Sequence, residues 1–227
     1  ESLLIANNSP IANSFNINKL KEEKARNFSF GFATSLDSNF SATIDAYYIA
    51  IKDRIILSGS FDASSLNFGV DNVQFFANGV DTETKGIDVV LNWKKSLNDS
   101  KISVDLSGNI NHMKITEINN RMLDKETFFG KRDQQFLLAS APKSKFNLSL
   151  NYELKKIKAS LVLTRFSRIK LIDWQIQNSI ANFNNSEEER LKAATDIYQP
   201  KLTTDLHVSY QLSTAITLQL GANNLFN

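Results

Sequence analysis

The side chains in this chain with the most chemical scope are two histidines, a recurring set of aspartates and a group of loop aromatics. His112 and His207 lie about ninety-five positions apart, with no second imidazole and no carboxylate at ligand spacing. A metal site needs several convergent ligands, so ordinary polar roles are expected for both. Serine and aspartate are frequent, but no Gly-x-Ser-x-Gly elbow is present to expose a nucleophile. Gly79 and Gly86 do not form a glycine-rich phosphate loop. No catalytic residue, cofactor site or metal site is therefore expected, and the chain does not read as an enzyme. Asp45, Asp88, Asp105 and Asp205 recur on one side of alternating segments. They read as hydration of a polar interior in preference to a charged path for a solute. Phe61, Phe68, Phe75, Phe76, Phe128, Phe129, Trp174 and Phe183 fall in long polar stretches. Aromatics beside polar groups suit a ligand site. They suit loops that pack on one another equally well. Of these, Phe61, Phe68, Phe128, Phe129, Trp174 and Phe183 are the candidates for facing a ligand.

The elements that position these groups follow from period-2 patterning. In the last hairpin Leu202, Leu206, Val208, Tyr210 and Leu212 alternate with Thr203, Asp205, His207, Ser209 and Gln211. After a tight turn, Ile216, Leu218 and Leu220 alternate with Thr217, Gln219 and Gly221. Successive side chains point to opposite faces of a strand, so one face is apolar and the other polar. The same plan recurs with Phe28, Phe30 and Phe32; with Phe40, Ala42, Ile44, Ala46 and Tyr48; and with Ile87, Val89, Leu91 and Trp93. It continues with Ile102, Val104 and Leu106; with Phe146, Leu148, Leu150 and Tyr152; and with Ile157, Ala159, Leu161 and Leu163. Short turns near 37, 97, 155 and 213 alternate with long polar loops near 65, 130 and 185. Pro142 stands at a strand entrance, where its missing N–H costs least. In the third loop Ser186, followed three residues later by Glu189, forms a capping box that predicts one short helix over 186–194.

About eight antiparallel strands with short turns on one side and long loops on the other are the pattern of a transmembrane barrel. Trp93, Tyr152 and Tyr210 all lie at the short-turn ends of their strands, where an interfacial aromatic girdle belongs. The bulk numbers agree. The chain has 227 residues, 42% of them hydrophobic and 22% charged, which is not a disordered composition. A formal charge of +2 gives no basis for a nucleic-acid partner. The absence of cysteine excludes disulfides, thiol catalysis and cysteine-bound metals. No apolar run is long enough for a membrane helix. Mean hydropathy is negative, as in a barrel where only one face of each strand is apolar. Glu1 opens mid-pattern without the charged and apolar regions of a signal peptide, and since Asn227 ends just after a strand the chain reads as a piece of something longer.

Several stretches also resemble a known family in the right order. Asp205-Leu206-His207-Val208-Ser209-Tyr210, followed after the turn by Gly221-Ala222-Asn223-Asn224-Leu225-Phe226-Asn227, resembles the penultimate hairpin of TonB-dependent outer-membrane receptors. Glu23-Lys24 before Asn27-Phe28-Ser29-Phe30-Gly31 is similar to the family's Pro-Glu-Lys entry to a strand, with Glu22 where proline is usual. Ala46 to Ile55, ending Lys52-Asp53-Arg54-Ile55, resembles its outward strand. Thr84-Lys85-Gly86-Ile87-Asp88 resembles its Thr-x-Gly-Val/Ile-Glu segment, with Asp88 in the place of Glu, and Pro142 to Tyr152 also resembles the family.

The resemblance covers roughly residues 20 to 227. It implies the C-terminal portion of a receptor β-barrel over residues 1–227, without plug domain, N-terminal strands or final strand. It implies location in the outer membrane of a Gram-negative cell and contact with outer-membrane lipid. It implies uptake of a small-molecule or glycan substrate such as a siderophore, haem, cobalamin or glycan. TonB and the plug would act only through parts outside this chain. An eight-stranded sheet could close by itself; the resemblance implies instead a share of a larger barrel. Two alternatives stand beside it. A soluble β-sandwich for binding or adhesion has the same alternation with the apolar face inward. A barrel enzyme needs a convergent Ser/His/Asp set, which the sequence lacks.

Overall fold

A computed structural model of the chain describes residues 2–66, 69–120, 123–173 and 186–226. The strands are β1 (Ser2–Leu4), β2 (Lys24–Ser35), β3 (Phe40–Leu57), β4 (Phe61–Asp62), β5 (Asn72–Gln74), β6 (Phe76–Leu97) and β7 (Ser100–Ile118). They continue with β8 (Ser144–Leu154), β9 (Ile157–Phe166), β10 (Ile169–Ile172), β11 (Thr195–Tyr198), β12 (Lys201–Gln211) and β13 (Thr217–Ala222). The described helices are α1 (Pro10–Ser14), α2 (Lys125–Phe129), α3 (Lys131–Leu138) and α4 (Glu187–Ala193). Eight long strands form one antiparallel sheet in the order β2-β3-β6-β7-β8-β9-β12-β13, so each pairs with its chain neighbours among the long strands. The sheet is an open meander; β2 and β13 are its edges.

Register turns the sequence alternation into rows. Phe40, Trp93, Val104, Leu150, Leu161 and Leu206 are cross-strand partners in succession, and they form an apolar row across six strands. One position along, Ser41, Asn92, Asp105, Ser149 and Asp205 fall in the adjacent row on the opposite face, interrupted only by Val162. A one-residue slip would exchange the two faces, so the pattern fixes the register. The apolar face is open: Phe30 is 82% exposed and Leu220 80%. The other two sheets have three and two short strands. Neither is large enough to be the second layer of a sandwich.

The connections divide as the sequence predicts. Turns 36–39, 98–99, 155–156 and 212–216 are short, and connections 58–75, 119–143 and 167–200 are long. Local chemistry closes the turns. Asp37 Oδ1 accepts the N–H groups of Asn39 and Phe40 at 2.6 and 2.8 Å, and Lys155 takes the left-handed φ of 51° needed in its two-residue turn. The capping box of α4 is present, with Ser186 and Glu189 bonded reciprocally. Beyond the predicted elements, the first stretch holds β1 and α1, and the loop before Pro142 holds α2 and α3. Among the described residues no helix is long and apolar enough to cross a membrane.

Candidate functional site

Two of the sequence motifs meet the start of β6 at one irregularity where the sheet joins its long loops. Asp53 takes φ of 57°, and the pairing of β3 with β6 shifts between Ile51 and Arg54. Such a bulge leaves backbone groups without ladder partners, and side chains from neighbouring segments supply them. Asp81 Oδ1 accepts the Asp53 N–H at 2.9 Å, and Glu23 Oε1 accepts the Ile55 N–H at 2.7 Å. Asn78 Nδ2 donates to the carbonyls of Asp53 and Lys21, and the Lys21 ammonium pairs with Asp53 at 2.8 Å. The Glu-Lys entry of β2, the Lys-Asp-x-Ile end of β3 and the Asn-Gly start of β6 thus form one structural joint.

Below the joint, the polar face is a hydrogen-bonded wall built mainly on asparagine. An asparagine amide offers donors and an acceptor together, so one side chain can bridge both neighbouring strands. Thr164 donates to Asn147 Oδ1 at 2.9 Å while Asn147 Nδ2 reaches Ser107 at 3.4 Å. Ser160 donates to Asn151 Oδ1 at 2.7 Å while Asn151 Nδ2 serves Ser103 and Asp105. Asn109 Nδ2 donates to Asp88 and to the Tyr47 hydroxyl. Tyr47 leans so closely over Gly86 that a Cβ there would lie 2.2 Å from its hydroxyl oxygen. Of the recurring aspartates, Asp88 and Asp105 are held by this network, and Asp205 accepts the Asn224 N–H at 2.8 Å. That last bond explains the terminal motif: Asn224 takes φ of 54° and the Leu225 N–H bonds the Thr204 carbonyl, which folds the segment back onto β12.

At the loop end the long connections pack into a layer with its own core. β1 pairs in parallel with β5, and β4 pairs with β5 on the other side. Ala12, Ile17, Ile56, Phe61, Val73, Phe75, Val80, Phe128 and Phe129 are buried together. Val80 lies on the same side of β6 as Thr82, Thr84 and Gly86 by alternation, so the layer is rooted on the polar side of the sheet. The Phe15 ring sits 5.5 Å from Phe61 and 5.6 Å from Phe75. Asp124 caps α2 through its bonds with the Thr127 hydroxyl and N–H, which hold its carboxyl below the ordinary range. Burial pushes the Asp133 carboxyl up, opposed by the neighbouring Arg132.

The structure places three of the six candidate ligand-facing aromatics in the loop layer's core. Phe61, Phe128 and Phe129 are 7%, 2% and 4% exposed. They share one buried cluster of the loop layer, because large apolar rings brought together from several loops gain by leaving water. They belong to the buried core of the layer. Phe68, Trp174 and Phe183 lie outside the described residues. Phe76 is exposed at the layer's margin, and Phe136 on α3 stands exposed with the Arg132 guanidinium 4.7 Å from its ring centre. Sequence reading missed Phe136, since α3 has no side-chain cap to announce it. Trp93, Tyr152 and Tyr210 lie on the apolar face near the short turns, and all are exposed. His112 and His207 are on different strands, and among the described residues no three acidic or imidazole groups converge to hold a metal.

The backbones of Gly59 and α2 approach closely: the Gly59 N–H donates to the Phe128 carbonyl at 3.1 Å. A Cβ at Gly59 would lie 2.1 Å from the Thr127 carbonyl oxygen, a backbone atom that cannot swing aside. Gly59→Ala is therefore expected to part this loop from α2 at a cost of about 1–3 kcal/mol. Limited proteolysis reads this as faster cleavage within 119–143 while the sheet stays resistant; an unchanged cleavage rate would contradict the contact.

The sequence matches the family described as TonB dependent receptor-like, beta-barrel, over residues 4–225. No curated protein sequence matches the chain. Among solved structures it is similar to the outer membrane transporter YddB from Escherichia coli, with a TM-score of 0.63 and 14% identity, covering 91% of this chain and 29% of that one. It is similar also to the FrpB iron transporter from Neisseria meningitidis, with a TM-score of 0.58 and 14% identity over 100% and 29% of the two chains. The ferric yersiniabactin uptake receptor FyuA from Yersinia pestis gives 0.57 and 13% over 90% and 25%. The chain thus spans under a third of the length of these structures, and at such identities the likeness is one of fold. With its open eight-stranded meander and one-sided loops, the chain belongs to the TonB-dependent receptor family, in its β-barrel part.

Proposed function

We propose that the chain forms part of the wall of a larger outer-membrane barrel that takes up a scarce nutrient. The observation that carries this reading is the contrast between the two faces. One is a continuous exposed apolar belt, and the other is a hydrogen-bonded polar wall capped by the loop layer. In a bilayer every backbone polar group needs an internal partner, so a membrane sheet must close. The free edges of β2 and β13 fit strands contributed by the rest of such a barrel. In this reading outer-membrane lipid covers the apolar belt, and Trp93, Tyr152 and Tyr210 form its girdle on the short-turn side. The polar face lines the interior, packed by a plug or filled with water, and no nucleic acid is involved. The substrate is a small molecule such as a siderophore, haem or cobalamin, or a glycan, with iron compounds favoured by the ferric yersiniabactin uptake receptor and the iron transporter among the structural neighbours. TonB would supply energy through parts of the protein beyond these residues. The reading is transport, not catalysis.

Fractionation of the source cells tests it, with an antibody raised to the 186–194 segment. The expected product is an outer-membrane band several times heavier than 25.6 kDa, with mobility that changes on heating. A soluble band near the chain's own mass would overturn the reading.

A further inference from the structure

A cavity of ≈ 310 Å³ opens where α3 meets β10 and the loop ends of β7 and β8. Lys143, Arg168 and Lys170 line it, and among the described residues no carboxylate does. Its other walls include Leu138, Pro142 and Ile169. The three cations are exposed, and none has an ion pair among the described residues.

Their closeness is built into the backbone. The Ser167 N–H donates to the Ser144 carbonyl at 2.9 Å, and the Ser144 N–H donates to Ser167 Oγ at 3.0 Å. That pair sets Lys143 and Arg168, one residue further along each segment, side by side. Gln135 Nε2 donates to the Lys170 carbonyl at 2.9 Å and fixes α3 against β10. The Asn111 N–H bonds the Lys143 carbonyl at 2.8 Å, and Asn111 Nδ2 bonds that of Pro142 at 3.1 Å. Five positioned hydrogen bonds thus hold like charges around one space. Such an arrangement is unfavourable empty and favourable around an anion, whose charge-assisted hydrogen bonds are short and strong.

The geometry points to a binding site for a small organic polyanion, a di- or tricarboxylate or a phosphate ester on an apolar body. Arg168 offers a planar fork of donors that matches a carboxylate or phosphate. Lys143 and Lys170 supply further charge, and Leu138, Pro142 and Ile169 cover the apolar part. The cavity lies near the lower end of the usual ligand-pocket range of about 300–1,000 Å³. As an assignment of substrate class this rests on the uptake reading above.

The test uses the full-length protein in detergent, with phthalate as the probe and its uncharged dimethyl ester as the match. Calorimetric titration should show phthalate binding that weakens with added salt, and no binding of the ester. Arg168→Gln and Lys170→Gln should each weaken phthalate about ten-fold or more, while Lys158→Gln at the short-turn end leaves it unchanged. Equal affinity for phthalate and ester, or full affinity in the two variants, would overturn the site. Should the variants not reach the heat-modifiable folded form, acetylation of wild-type Lys143 and Lys170 decides. Phthalate should slow it at both lysines, and equal labelling with and without the probe sinks the proposal. Cell fractionation remains a separate readout. An outer-membrane protein without phthalate binding loses the site alone, and a soluble protein that binds phthalate loses the uptake role alone.

Discussion

Replacing Phe75 with alanine is expected to release the loop layer while leaving the eight-stranded sheet in place. Phe75 has 0% exposure, and its ring lies 5.6 Å from Phe15 and 6.3 Å from Phe61, which come from separate connections. Removing a buried phenyl ring costs about 3–5 kcal/mol, because the space is only partly refilled. The backbone gives this residue a second hold on the layer: the Ser58 N–H donates to its carbonyl at 2.8 Å, and its own N–H donates to Ser58 Oγ at 3.0 Å. The Ile5 N–H donates to the Gln74 carbonyl and the Ala63 N–H to the Asp71 carbonyl, in the segment that leads to Phe75. Loss of the ring should therefore loosen residues 2–17 and 58–75 together. In hydrogen exchange, peptides from both segments should exchange on the order of a hundred-fold faster or more, since each 1.4 kcal/mol is about a factor of ten. Peptides from β7, β8 and β9 should be unchanged. Faster exchange in 58–75 without any change in 2–17 would show that the first segment is held by something other than this core.

The contrast between sheet and loop layer follows what a sequence can carry. The hairpin from Leu202 to Leu220 was legible because alternation is local: each residue's face depends only on its distance from its neighbour. The helix over 186–194 was legible because Ser186 and Glu189 satisfy its first N–H groups with their own side chains. Helices α1 and α2 have five residues each, too short to stand on propensity, and exist because of what they pack against. Ser9 and Asp124 do cap them, but such short polar signals occur in many loops. The positions of Phe61, Phe128 and Phe129 depended on which loops meet, and that is a long-range fact. The motif at Asp53 lay between these cases. Its residues were visible, but the reason for them, a bulge whose free N–H groups are taken by Asp81 and Glu23, needed β2, β3 and β6 side by side. The cavity at Arg168 was harder still. Lys143 is far from Arg168 and Lys170 along the chain, and only the Ser144–Ser167 pairing places it beside Arg168.

Arginine should be far more costly at Leu148 than at Ser149, although the two are adjacent in β8. Leu148 lies between Leu106 and Leu163 in the apolar rows, while Ser149 lies between Asp105 and Val162 on the opposite face. If the apolar belt meets lipid, Leu148→Arg puts a cation near the middle of the hydrocarbon, which costs about 2–4 kcal/mol. Ser149→Arg adds a cation to a polar wall already holding Asp105, and should fall within about 0.5 kcal/mol of the parent. Arginine alone does not separate lipid from a protein core, since a sandwich interior would reject it too. Enlargement does. Ala46 sits on the apolar face between Phe30 and Ile87, exposed on its strand. A packed protein core resists the extra volume of Ala46→Phe at a cost of about 1–3 kcal/mol, whereas fluid lipid chains yield to it. Denaturant unfolding of the full-length protein from lipid vesicles, followed by loss of the heat-modifiable band, gives all three values. The expected order is a large loss for Leu148→Arg and near-parental stability for Ser149→Arg and Ala46→Phe. A penalty for Ala46→Phe comparable to that for Leu148→Arg would mean that protein, not lipid, covers the apolar face.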